Sequence, residues 1–90
     1  MSTLNNEKIS VIGAGAWGTA ISIHIARLGY KVNLWVREKE TLDCITNTKI
    51  NKLFLPNHII PENVTPSNDI NEIIKYSKIL LWAVPTQHLR

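Results

Sequence analysis

The residues with chemistry to offer are Gly13-Ala14-Gly15-Ala16-Trp17-Gly18, three glycines spaced as Gly-x-Gly-x-x-Gly. Residues 8–13, Lys-Ile-Ser-Val-Ile-Gly, read as a short β-branched strand that runs straight into them. After them Trp17, Ala20, Ile21, His24, Ile25 and Leu28 fall at helical spacing, with Gly29 where a helix would end. In a strand-to-helix turn each glycine has a physical role. Gly13 permits the tight turn, Gly15 removes the side chain where a pyrophosphate approaches the backbone, and Gly18 lets the helix lie close to the strand. The helix start then offers unpaired N–H groups and a partial positive charge to phosphates. The spacing and its context predict a dinucleotide site; the competing reading is a turn that serves structure alone.

A second strand is expected over Lys31–Val36, and its end places Arg37 and Glu38 about 20 residues beyond the glycines. An acid there accepts hydrogen bonds from an adenosine ribose 2′-hydroxyl, whereas Arg holds a 2′-phosphate with paired N–H donors. Arg37 occupies or adjoins the slot and Glu38 follows it, so NAD and NADP both remain open. A solvated Arg at a strand end is the plain alternative.

The elements that must position these groups alternate. Glu38 to about Thr46 has helical propensity, with acids in its first turn. Residues 47–66 are irregular, broken by Pro56, Pro61, Pro66 and repeated Asn, with Val64 able to seed a short strand. Asp69 to about Ser77 reads as a helix with Ile70, Ile73 and Ile74 inward, capped by Asn68 or Ser67. Ile79–Val84 is a strand apolar on both faces and ended by Pro85, and Thr86–Arg90 begins another helix. Alternating strands and helices predict a doubly wound parallel sheet of the α/β class. Its ligand would lie across residues 13–18 and 84–87, including Pro85. Trp82 is expected as a packed aromatic, and Trp17 either in the core or against the ligand. His24 is expected as a satisfied helix residue, and Cys44 as a small buried apolar one.

Ninety residues make a single domain, 1–90, and 44% hydrophobic with 19% charged residues excludes a disordered tail. Ten Lys and Arg against seven Asp and Glu give +3, but the basic residues are scattered. A nucleic-acid or membrane surface would want them clustered, so no nucleic-acid partner is expected. One cysteine allows no internal disulfide, and no His or Cys spacing suggests a metal site. The start lacks an apolar signal core, and Ile79–Val84, the longest apolar run, is far short of the ~20 residues of a membrane span. A cytoplasmic protein is expected.

Gly13-Ala14-Gly15-Ala16-Trp17-Gly18-Thr19-Ala20, Leu34-Trp35-Val36-Arg37, Asn51-Lys52-Leu53-Phe54-Leu55-Pro56 and Ala83-Val84-Pro85-Thr86 occur in this order. Together they resemble the N-terminal coenzyme domain of bacterial NAD(P)-dependent glycerol-3-phosphate dehydrogenases, over about Lys8 to Arg90. The resemblance implies a partial Rossmann domain whose C-terminal half and helical substrate domain are absent. It implies a parent oxidoreductase that reduces dihydroxyacetone phosphate to glycerol 3-phosphate for phospholipid synthesis. Ala16, Trp17 and Arg37 would line the coenzyme site. Phe54 stands where the family usually has Tyr, keeping an aromatic face and losing a hydroxyl. The family's substrate-contacting and catalytic lysines follow later in the chain, so these residues alone are expected to be inactive. A non-catalytic remnant or weak nucleotide-binding module, and the N-terminal part of another dehydrogenase sharing the glycine loop, are the other readings. Self-association through an unpaired strand 79–84 is expected as well.

Overall fold

Strands buried on both faces need apolar side chains in both directions, and Ile9, Val11 and Ile12 supply them around a buried Ser10. In the computed structural model, which describes residues 8–75 and 77–83, these residues form β1 (Lys8–Ile12). The order continues α1 (Ala16–Arg27), β2 (Lys31–Trp35), α2 (Lys39–Thr48), β3 (Ile50–Asn51) and β4 (Leu55–Ile59). Then come β5 (Val64–Ser67), α3 (Ile70–Lys75) and β6 (Ile79–Trp82). Four parallel strands stand in the order β5-β2-β1-β6, with Val11 opposite Leu34 and Ile12 opposite both Trp35 and Trp82.

The register assigns the faces. Val11, Val32, Leu34 and Val64 pack on one side with Ile23 and Ala26 of α1 and Ile45 of α2. On the other side α3 lies over the sheet, its buried Ile73 lining a cavity of about 230 Å³ with Asn33, Thr65 and Ser67. The hydroxyls of Ser10 and Ser77 are hydrogen-bonded to each other, which pairs the polar group in the middle of β1. Helices therefore cover both faces of a parallel sheet. This is the doubly wound α/β fold that the alternation predicts.

The face that α1 buries differs from the apolar stripe. Gly18, Thr19, Ser22, Ile23 and Ala26 are buried, whereas Trp17, Ala20, His24 and Leu28 are exposed and Ile21 and Ile25 half-buried. Small residues win because the helix start must pass close to β1, and Gly18 sets the rotational phase of everything after it. Ser22 is tolerated inside because its hydroxyl donates to the Gly18 carbonyl at 2.8 Å. The helix ends where expected, with Gly29 at φ 103°.

Residues 47–66 hold more structure than the irregular pattern suggests. Lys49 caps α2 in the left-handed region at φ 61°, and β3 and β4 pair antiparallel as a separate two-stranded ribbon. Val64 does seed a strand, and β5 accommodates Pro66 because it is an edge among the described residues. Asn63 pins the return, its Nδ2 donating to the carbonyls of Ala26 and Tyr30, both at 2.8 Å. The cap of α3 is Asp69, whose Oδ1 accepts from the Glu72 amide at 3.2 Å, in place of Asn68 or Ser67. Ser67 instead accepts from the Asp69 amide, and the Asn68 carbonyl from the Trp35 indole. Ile74 is exposed rather than inward. β6 is an edge strand among the described residues, so Trp82 is 67% exposed and not packed. Val84, Pro85 and the expected last helix lie outside the described residues.

Candidate functional site

From β1 the chain moves outward to β2 and β5 on one side, then crosses to β6 on the other. Strand order reverses between β1 and β6, and the crevice at their carboxyl ends is where open α/β sheets take ligands. The glycine loop stands there. Gly13 adopts φ 117°, which side-chain-bearing residues rarely reach, and its amide donates to the Trp35 carbonyl at 3.2 Å. The Ala83 amide donates to the Ile12 carbonyl at 2.9 Å, which brings the end of β6 beside the loop.

The other two glycines differ in what excludes a side chain. A Cβ on Gly18 would run into the Gly13 carbonyl and lie 3.1 Å from the Ala83 Cβ, so helix and strand approach too closely for one. A Cβ on Gly15 would meet no protein atom within 4 Å, and the residue's φ of −73° and ψ of −169° suit any side chain. Nothing in the protein's own packing requires glycine at 15. An approaching phosphate group would require it, and the bare backbone there fits one.

The electrostatics point the same way. Gly15 is the N-cap of α1, no side chain caps the helix, and its first turn holds no acid. The first intrahelical bond runs from Thr19 N–H to the Gly15 carbonyl at 3.0 Å. The amides before it, with the positive end of the helix dipole, face the crevice without a countercharge from their own turn.

Arg37 and Glu38 lie just beyond Val36 past the end of β2, as Ala14 and Gly15 lie just beyond Gly13 past β1 in the aligned register. Their side chains are 78% and 63% exposed and approach each other at 3.9 Å, a loose surface pair that leaves both able to meet a ligand. Trp17 is 65% exposed, which removes core packing from its two readings. Ala16 is exposed beside it on the first turn of the helix. Phe54 is partly exposed in the turn between β3 and β4. Pro85 lies outside the described residues. His24 lies on α1 with its side chain exposed, lining a cavity with Arg27 and His58. Cys44 is half-buried, its thiol 3.4 Å from the Ile50 carbonyl.

One residue of the site escaped the sequence. Asn51 is fully buried, and its Nδ2 donates to the Ala14 carbonyl and to Thr19 Oγ1, both at 2.8 Å. Its Oδ1 accepts from the Phe54 amide at 3.3 Å, so the ribbon carrying Phe54 is tied to the glycine loop. The one signal was an Asn opening the Asn51–Pro56 run, and Asn is so common in turns that its type alone says little. Among the described residues no three His, Cys, Asp or Glu side chains gather to hold a metal ion. Nor is any described helix long and apolar enough to cross a membrane.

Known proteins share this fold. Residues 8–90 match the family described as NAD-dependent glycerol-3-phosphate dehydrogenase N-terminus. A glycerol-3-phosphate dehydrogenase [NAD(P)+] of Thermoanaerobacter sp. is 43% identical over 92% of this chain and 25% of its own length. That of Halothermothrix orenii is 39% identical over 94% and 25% respectively. The crystal structure of glycerol-3-phosphate dehydrogenase from Coxiella burnetii superposes with a TM-score of 0.83 at 34% identity, covering 89% of this chain and 25% of that one. The Plasmodium falciparum glycerol-3-phosphate dehydrogenase gives a TM-score of 0.78 at 33% identity, over 92% and 26%. The chain thus spans about a quarter of the length of these relatives. With the match running unbroken through the glycine loop, the β3–β4 ribbon and β6, the chain belongs to the family of NAD-dependent glycerol-3-phosphate dehydrogenase N-terminal domains.

Proposed function

We propose that residues 8–83 form the coenzyme-binding part of an NAD(P)-dependent oxidoreductase. Its reaction would interconvert glycerol 3-phosphate, the substrate in the relatives' names, and dihydroxyacetone phosphate, the ketone that removal of a hydride and a proton from its secondary alcohol leaves. The observation that carries the reading is Gly15, glycine without an internal reason, at an acid-free helix start in the crevice between β1 and β6. The amides at the start of α1 would hold the pyrophosphate, with Gly13, Gly15 and Gly18 giving it close access. Ala16 and Trp17 would lie along it, Phe54 would offer an aromatic wall, and Pro85 would follow β6 at the same end. Arg37 would meet the adenosine 2′ position, where a phosphate suits its guanidinium, with Glu38 as the alternative for a free hydroxyl.

A bound nicotinamide would supply the hydride; these residues bind and orient it. Tryptophan fluorescence tests the reading directly, because Trp17 is exposed on the first turn of α1. A saturable change with NADH or NADPH below about 1 mM is expected, and its absence from a folded sample sinks the reading.

Reduced cytoplasm is the compartment proposed. The edge of β6 that is free among the described residues, with Ile79, Leu80 and Trp82 exposed, is proposed to pair with a second copy when nothing else covers it. A stable monomer by light scattering at about 100 μM would count against that pairing.

A further inference from the structure

The buried amide of Asn51 joins two segments 37 residues apart in sequence. Three of its hydrogen-bonding positions are taken: two donor contacts on the loop and helix α1, and one acceptor contact on the β3–β4 turn. Thr19 adds to the same cluster, its hydroxyl 3.4 Å from the Ala14 carbonyl. These contacts also fix which way the amide faces, with nitrogen toward the loop and oxygen toward Phe54.

We propose that Asn51 is a positioning residue for coenzyme binding: by drawing the Ala14 carbonyl inward it sets the peptide plane that presents the Gly15 amide to phosphate. The reason is geometric. A trans peptide is planar, so the C=O of Ala14 and the N–H of Gly15 point in opposite directions. Tying the carbonyl to a buried amide turns the following N–H away from the interior. A peptide released from that tie is free to rotate and aim its carbonyl oxygen, a negative dipole end, at an anion. The same side chain holds the Phe54 amide, so loop and aromatic wall keep one spacing.

This inference rests on the coenzyme reading, and the tests separate the two. Asn51→Ala should leave the sheet folded, with the Val36 amide still protected by the Ser67 carbonyl that it meets at 2.8 Å. Hydrogen exchange at the Gly15 and Ala16 amides should change by about tenfold or more, and the Kd for NADH should rise by a similar factor. Asn51→Asp should do worse, because it sets a second acceptor against the Ala14 carbonyl. Thr19→Val, which removes one partner but keeps the Ala14 bond, should change the Kd less than threefold while lowering the Tm. A merely structural role predicts the reverse pattern, with Tm lowered in all variants and the Kd of the folded protein unmoved.

Unchanged NADH binding by folded Asn51→Ala overturns the inference alone. NADH failing to bind the unaltered chain overturns the coenzyme reading and this inference with it. Side-chain amide protons of Asn51 that exchange as fast as those of exposed Asn57 in the unaltered chain overturn the inference whether or not the variants fold.

Discussion

The two long helices begin in opposite ways. α2 starts with Glu38 at its N-cap and Glu40 in its first turn, followed by a Lys39–Asp43 pair at 3.1 Å. Its own acids answer the positive end of its dipole. α1 starts with a bare glycine, no acid in the first turn and an exposed tryptophan. Both helices follow a strand of the same parallel sheet, and neither has a side-chain hydrogen bond at its cap. What separates them is charge and bulk. α2 is arranged for its own stability, while α1 leaves unanswered the charge that a phosphate would answer.

The comparison is broken most severely at the third helical residue, Gly18 in α1 and Thr41 in α2. Gly18→Ala drives a Cβ into the Gly13 carbonyl and against Ala83, and backbone atoms there have nowhere to move. The expected cost is about 3 kcal/mol or more, a large share of the roughly 5–10 kcal/mol that a chain of this length holds. Thermal or urea unfolding should show the midpoint lowered by more than in any other variant tested. Thr41→Ala at the matching place should cost only about 1 kcal/mol. Equal costs would mean that the close approach of α1 to β1 is less tight than the geometry says.

The next test trades stability against binding. Gly15→Asp places a capping side chain and a negative charge at the α1 start, where the backbone already suits an ordinary residue. By cap and dipole together it should stabilise the fold by about 0.5–1 kcal/mol, raising the Tm by roughly 2–8 °C. The same carboxylate opposes a pyrophosphate in both charge and volume, so NADH affinity should fall by roughly 100-fold or more. A variant with raised Tm and intact binding would show that phosphates do not sit at Gly15.

These two glycines also mark what the sequence made legible. Strand, glycine loop and helix could be read because β-branched periodicity and Gly-x-Gly-x-x-Gly are local signals. Which face α1 buries could not, because the close approach at Gly18 overrides the apolar stripe of Trp17, Ala20, His24 and Leu28. The β3–β4 ribbon was hidden for a related reason. Its pairing is short and irregular, and the side chain that anchors it, Asn51, finds its partners 32 and 37 residues away. Trp82 was misread since burial of an apolar strand depends on what lies beyond its edge, which its own residues do not encode.

Arg37 tests the comparison at the junction of β2 with α2. If its guanidinium meets the 2′ group, Arg37→Ala should weaken NADPH by roughly 10- to 100-fold and NADH much less. The effect should shrink with salt, because the side chain is 78% exposed. Equal, small losses for both coenzymes would make Arg37 a solvated strand end and Glu38 the better candidate.

The smallest expected effect falls on the acid that answers the α2 dipole. Glu40→Gln removes a charge from the first turn while keeping size and helix propensity, so only the electrostatic contribution changes. At low ionic strength that contribution is about 0.5 kcal/mol for an exposed side chain, or roughly 2–4 °C in Tm for a domain of this size. Near 1 M salt the Debye length is about 3 Å, and the difference should vanish. Coenzyme affinity should not move, because Glu40 is exposed on the first turn of α2, makes no hydrogen bond to Asn51, and lines a cavity that no residue of the glycine loop reaches. Melting curves at two salt concentrations, read beside an NADH titration, decide it. A Tm unchanged at low salt would mean that the α2 start does not depend on its acids, and its contrast with α1 would then rest on bulk alone. A loss of NADH affinity would instead place Glu40 within reach of the coenzyme, and the separation between a helix start kept for stability and one kept for binding would fail.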